Sequence, residues 1–262
     1  MKIALYQVDA FTDELFHGNP AAICFLDKWL DNTLMQKIAM ENNLSETAFV
    51  VKKNNQFHIR WFTPIAEVDL CGHATLASAH IIFNQYGYKK NLIIFNSMHS
   101  GILKVRKDGE YLTLDFPAQK IKKAIPPDEL IEGIGKKPIE VYKGKTDYLL
   151  VYQNEKEIQT ISPDFNALSK ILTRGIIVTA KGDYYDFVSR FFAPTLGVNE
   201  DPVTGASHTI LIPYWRKKLN KNELNAKQLS TRQGILKCRM NKDRVYISGK
   251  AITYLKGEIL SL

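Results

Sequence analysis

Three side chains in this sequence are of the types that move protons. Glu46 stands in NLSETAFV, just ahead of an apolar run that reads as a strand. A carboxyl group entering a strand among apolar neighbours is a candidate general acid or base. His73 directly follows Gly72 at the predicted start of a helix, where its imidazole can act as acid, base or hydrogen-bond donor. Asp201 lies in NEDPVTGAS, ahead of a second glycine turn. Each also has a plainer reading: a turn residue for Glu46, a structural histidine for His73, and an Asx-type turn before Pro202 for Asp201.

The two glycine turns supply a binding chemistry. Cys71-Gly72-His73-Ala74-Thr75 and Thr204-Gly205-Ala206-Ser207 each introduce an apolar segment of helical length. The first backbone N–H groups of a helix lack intrahelical partners and carry the positive end of its dipole, so both turns are candidates to hold a carboxylate. Simple capping by Thr, Ser and Gly is the alternative. No metal is expected, because the six histidines form no H-E-x-x-H and no Cys/His cluster. GIGKKP at 133–138 matches neither nucleotide-binding glycine pattern.

The elements that must position these groups repeat. GILKVR at 101–106 recurs as GILKCR at 234–239, and RWFTP at 60–64 as RFFAP at 190–194, an offset of about 130 residues. Acidic stretches follow in the same order, EVDLCGHAT and NEDPVTGAS, and then the helical segments LASAHIIFNQY and HTILIPYWRKK. Strands are predicted over 2–8, 48–52, 57–62, 92–95, 148–152, 175–179 and 186–192, from β-branched and aromatic content. Two helices amid mainly antiparallel strands give an α+β class. The predicted lobes are residues 1–118, completed by a last strand at about 252–262, and residues 119–251, joined at the basic, proline-rich AQKIKKAIPP. A cleft between two related lobes is the expected place for the chemistry.

Composition narrows the classes. With 45% hydrophobic and 24% charged residues the chain reads as an ordinary globular protein. Its apolar runs are too short to span a bilayer, and MKIALYQVDAF reads as a first strand and not a signal peptide. Cys24, Cys71 and Cys238 are odd in number and widely spaced, so reduced thiols and a cytoplasmic location are expected. The net charge of +8 comes from scattered lysine pairs interleaved with acids, which gives a solvated surface and no nucleic-acid or membrane partner.

GNPAA, NLSETAFV, RWFTP with EVDLCGHATLASA, RFFAP with GVNEDPVTGASH, and the terminal GILKCR and ISGKA together resemble the signature stretches of the PhzF-like isomerases, a branch of the diaminopimelate-epimerase superfold. The resemblance runs nearly end to end. It implies two pseudo-symmetric lobes, each a β-barrel-like sheet around a central helix, a homodimer, no cofactor, and proton transfer at carbon on a small carboxylate substrate. It places the family's catalytic residues on Glu46, His73 and Asp201, and substrate contacts on Gly72, Ala74, Thr75, Thr204, Gly205, Ala206 and Ser207. The family's T-G-S is here Thr204-Gly205-Ala206-Ser207, so the serine is displaced by one position. Two alternatives remain open: a racemase or epimerase independent of pyridoxal phosphate, and a catalytically silent carboxylate-binding protein. Two-cysteine racemases of the superfold take one base from each lobe. Here Cys71 has only Thr204 as its counterpart, and a hydroxyl is far too weak an acid to replace a thiolate.

Overall fold

The computed structural model describes residues 2–54 and 56–260. The chain divides into two units, Met1–Phe116 with Ile247–Leu262, and Pro117–Tyr246. The first unit contains β1 (Ile3–Ala10), β2 (Asn19–Leu26), α1 (Asn32–Asn42), β3 (Glu46–Lys53), β4 (Gln56–Phe62), β5 (Glu67–Val68), α2 (Gly72–Gln85), β6 (Leu92–Ser97), β7 (Gly101–Asp108) and β8 (Tyr111–Pro117). The second contains β9 (Lys122–Lys123), α3 (Asp128–Ile134), β10 (Glu140–Lys143), β11 (Asp147–Val151), α4 (Glu155–Thr160), α5 (Phe165–Leu168), β12 (Gly175–Lys181) and β13 (Phe187–Phe192). It continues through a 3₁₀ turn at Pro194–Leu196, α6 (His208–Leu219), β14 (Glu223–Gln228), β15 (Gly234–Asn241) and the start of β16 (Arg244–Gly249), whose residues from Ile247 on belong to the first unit. The last strand, β17 (Ala251–Ile259), pairs antiparallel with β1.

The strand pairings are mainly antiparallel, and the same order of pairings occurs in each unit. In the first, β2–β3 is parallel, β3–β4 antiparallel, β4–β6 parallel and β6–β7 antiparallel. In the second, β11–β12, β12–β13, β13–β14 and β14–β15 follow the same alternation. The duplicated sequence segments therefore build duplicated sheet topology.

Each unit buries one long helix. From Gly72 to Ala79 every residue of α2 is buried, and the helix packs on β1, β2, β3, β7 and β17. Such a helix has no polar face, so its hydroxyls turn inward. Thr75 Oγ1 donates to the Cys71 carbonyl at 2.6 Å and Ser78 Oγ to the Ala74 carbonyl at 2.7 Å. In α6, Pro213 removes the N–H that would bond the Thr209 carbonyl. The Gln119 N–H takes that carbonyl instead at 3.0 Å, while Gln119 Nε2 donates to Thr209 Oγ1 at 2.9 Å.

The expectation of two helices is corrected: the described residues contain six. The four additional ones are short or peripheral. Helices α4 and α5 are six and four residues long, too short to show a helical period. Helix α1 carried a usable signal in Asp31, whose side chain accepts the Thr33 N–H at 2.8 Å. No helix among the described residues is long and apolar enough to cross a membrane.

Candidate active site

In the first unit, two chain turns bring Glu46, His73 and Cys71 together. Helix α1 ends at Asn43 in the left-handed conformation (φ 48°), its N–H bonded to the Ala39 carbonyl. Asn tolerates that geometry better than most residues, and it lets the chain reverse within two residues into β3, whose first residue is Glu46. Glu46 pairs with Ala21 on the parallel neighbour β2. His73 is the second residue of α2, and Cys71 is its N-cap, with extended backbone and no side-chain capping bond.

His73 Nε2 lies 3.2 Å from Glu46 Oε2, with the imidazole 5% and the carboxylate 19% exposed. On the other side of the ring, Nδ1 lies 3.1 Å from Asn19 Nδ2 and 3.5 Å from Cys71 Sγ. An amide nitrogen only donates, so Nδ1 is the acceptor and the ring proton sits on Nε2, which approaches Glu46 without hydrogen-bond geometry. Burial pulls the His73 pKa down to about 3, against a smaller upward pull from the Pro20 carbonyl. The contact with Glu46 is thus between a carboxylate and a neutral N–H, and not a full ion pair.

The carboxylate, thiol and imidazole donors of Glu46, Cys71 and His73 lie within 4.8 Å of one another, a set that a divalent cation can use. The sequence spacing does not reveal this cluster, because it forms only when β3 meets the start of α2. Its arrangement suits proton transfer better than ligation of one ion. Glu46 faces Nε2 and Cys71 faces Nδ1, so the ring stands between the two groups.

Helix α2 also presents backbone donors. The N–H groups of Gly72, His73 and Ala74 precede the first intrahelical bond, Thr75 N–H to the Cys71 carbonyl at 3.2 Å, and no side chain caps them.

In the second unit, Asp201, Thr204 and Ser207 are brought together ahead of α6. Thr204 Oγ1 donates to Asp201 Oδ2 at 2.5 Å, and Ser207 Oγ donates to the Thr204 carbonyl at 2.8 Å. Helix α6 itself begins at His208, after a turn through Gly205 and Ala206, and no side-chain capping bond closes it. The simple capping reading of Ser207 fails here because its hydroxyl is spent backwards on Thr204.

Two residues that the sequence reading did not single out hold this turn. Gln228, fully buried at the end of β14, accepts the Thr204 N–H at 2.9 Å. Through Nε2 it donates to the Asp201 carbonyl at 2.8 Å and to Thr204 Oγ1 at 3.2 Å. His208, also fully buried, donates from Nδ1 to the Thr204 carbonyl at 2.8 Å, and burial lowers its pKa to about 4.

The repeated arginines sit behind these turns. Arg60 donates to both oxygens of Glu67 at 2.7 and 2.6 Å, and Arg190 to both oxygens of Glu200 at 2.7 and 2.9 Å. Each guanidinium lies over the phenylalanine two residues on, Phe62 at 5.2 Å and Phe192 at 4.9 Å. Glu200 directly precedes Asp201, so this fork fixes the strand exit that delivers it.

Comparison with known proteins agrees with this architecture. Residues 8–257 match the family described as phenazine biosynthesis-like protein, PhzC-PhzF. An uncharacterized isomerase of Pseudomonas aeruginosa is 49% identical over 99% of both chains. The crystal structure of a phenazine biosynthesis protein of the PhzF family from Enterococcus faecalis superposes with a TM-score of 0.96, at 48% identity, over all of both chains. A hydroxyproline epimerase from Agrobacterium vitis shares the fold alone, with a TM-score of 0.65 at 8% identity, covering 98% of this chain and 92% of that one. The chain belongs to the PhzC-PhzF, phenazine biosynthesis-like protein family.

Proposed function

We propose that this chain, an isomerase of the PhzF-like family, shifts a proton between carbons of a small carboxylate-bearing substrate, with Glu46 as the single general acid and base. The supporting observation is the 3.2 Å approach of Glu46 Oε2 to the ring of a buried, neutral His73. A neutral imidazole places no positive charge beside Glu46, which keeps the capacity to accept a proton from carbon. His73 in turn has a proton to share with a substrate oxygen or nitrogen. Abstraction at one carbon and return at another rearranges electron pairs within the substrate. The step is redox-neutral and balances without a cofactor.

The N–H groups of Gly72 and Ala74 at the start of α2, with Thr75 behind them, are proposed to receive the substrate carboxylate. The turn Thr204-Gly205-Ala206-Ser207 is proposed as a second set of substrate contacts, and Asp201, held by Thr204 and Gln228, as an additional acid. The test is proton NMR in D₂O with a panel of unsaturated and amino carboxylates that includes dihydro-hydroxyanthranilate and diaminopimelate. Deuterium at carbon or an isomerised product is expected, falling about 10²–10⁴-fold in Glu46→Gln. Exchange that survives in Glu46→Gln removes Glu46 from the mechanism. Saturable binding without exchange favours the silent binding protein.

A further inference from the structure

A concave basic site in the second unit is built from residues the proposed chemistry does not use. Strands β11 and β12 are parallel and start level, Asp147 opposite Gly175, so the residues preceding each strand emerge at the same end. Arg174 N–H donates to the Thr146 carbonyl at 2.9 Å, and Thr173 Oγ1 donates to the same carbonyl at 2.8 Å. Thr195, from the turn after β13, donates its hydroxyl to the Thr173 carbonyl at 2.9 Å. The β10–β11 hairpin adds Lys143 and Lys145, and the segment after α5 adds Lys170. These residues line an open, shallow depression of about 400 Å³.

Its wall holds four cations, Lys143, Lys145, Lys170 and Arg174, and no carboxylate. Asp147, fully buried behind Arg174, takes the guanidinium through both oxygens and fixes its orientation. Lys143 donates to Thr173 Oγ1 at 2.9 Å and lies 3.6 Å from the centre of the Tyr148 ring. Neither partner carries a full negative charge; burial lowers the pKa of this ammonium, against an upward pull from the charge of Asp147. Lys145 and Lys170 are exposed and make no ion pair among the described residues. Other lysines of this unit are matched to acids, Lys218 with Glu140 and Lys221 with Asp186. Four cations around one concavity share the single buried carboxylate of Asp147, so a net positive charge remains and a multiply charged anion relieves their repulsion.

We propose that this depression binds a small, soluble, multiply charged anion of the phosphate-ester or diphosphate class. Arg174 and Lys143 are the fixed contacts, and Lys145 and Lys170 close over the ligand. The volume suits a small molecule.

The test is calorimetric titration and ³¹P NMR with inorganic pyrophosphate at low ionic strength. Saturable 1:1 binding that weakens with added salt is expected, about tenfold or more weaker in Lys145→Glu/Lys170→Glu. Both lysines lie on the surface and outside the candidate active site. The milder pair Lys145→Ala/Lys170→Ala should show a smaller loss in the same direction. Absence of saturable binding, or equal affinity in both double variants, overturns the proposal. Co-sedimentation with phosphatidylglycerol vesicles that pyrophosphate does not compete away also overturns it, in favour of a lipid surface.

Discussion

His73 Nε2 lies 3.2 Å from Glu46 Oε2, an approach without hydrogen-bond geometry, while Asn19 Nδ2 lies 3.1 Å from the opposite ring nitrogen. Since burial holds the imidazole neutral down to about pH 3, the rate profile should carry no limb near the ordinary histidine value of about 6.5 that belongs to His73. His73→Gln keeps an N–H for Glu46 and should retain more exchange than His73→Leu, which is expected to lose roughly 10²-fold. Measuring kcat/KM against pH for all three proteins checks this. A limb near 6.5 that vanishes in His73→Gln would show that the ring titrates during turnover.

Gln228 closes on Thr204 from two sides, taking its N–H and reaching its hydroxyl, and also donates to the Asp201 carbonyl. Gln228→Ala would remove this partner from the buried Thr204 N–H and the partly buried Asp201 carbonyl. The expected cost is on the order of 3 kcal/mol by urea denaturation. Exchange activity should fall with it if Asp201 acts on substrate. Gln228→Glu restores the acceptor for Thr204 but loses the donor to Asp201, so it should recover stability only in part. Full stability in Gln228→Ala would mean that the turn holds itself.

The sequence made the site residues legible by type and the duplication legible by recurrence. It could not show which residues meet. Glu46 and His73 are 27 positions apart and touch only because β3 starts where α2 starts. Gln228 was readable in principle: along ELNAKQ the buried positions alternate, Leu224, Ala226, Gln228, and period-2 patterning places it on the inward face. A polar residue at such a position has to find partners, and which ones is a matter of tertiary structure. The R-x-F motif was noticed as a repeat, and strand geometry explains it. Residues i and i+2 share a face, so each arginine lies over its own phenylalanine before it reaches its glutamate.

His208 should make the fold acid-sensitive. Its folded pKa is about 4, against about 6.5 in the unfolded chain, so between those values the unfolded state binds more protons. Its stabilising contribution is fully present above about pH 6.5 and is lost as pH falls toward 4, on the order of 3 kcal/mol over the whole window. His73 acts in the same direction with a lower limit, about 3. His208→Asn preserves a donor for the Thr204 carbonyl and removes the titration. Urea midpoints at about pH 7 and about pH 5 should therefore differ less in the variant than in the parent. An unchanged difference would place the acid sensitivity elsewhere.

Cys71 decides between one base and two. Its buried thiol, on the N-cap residue of α2, lies 3.5 Å from His73 Nδ1, close enough to join the proton traffic. Two features argue that it does not. Nδ1 already accepts from Asn19 and has no proton to pass on, and the matching position in the second unit holds Thr204, whose hydroxyl is donated to Asp201. Cys71→Ser should therefore keep carbon exchange within about tenfold of the parent, where Glu46→Gln loses about 10²–10⁴-fold. The background thiols will not obscure a spectroscopic check, since burial pushes Cys24 up to about 12 and Cys238 further still. Any thiolate absorbance near neutral pH thus belongs to Cys71. Such absorbance, together with a loss in Cys71→Ser as deep as that in Glu46→Gln, would make the thiol the base and return the racemase reading to first place.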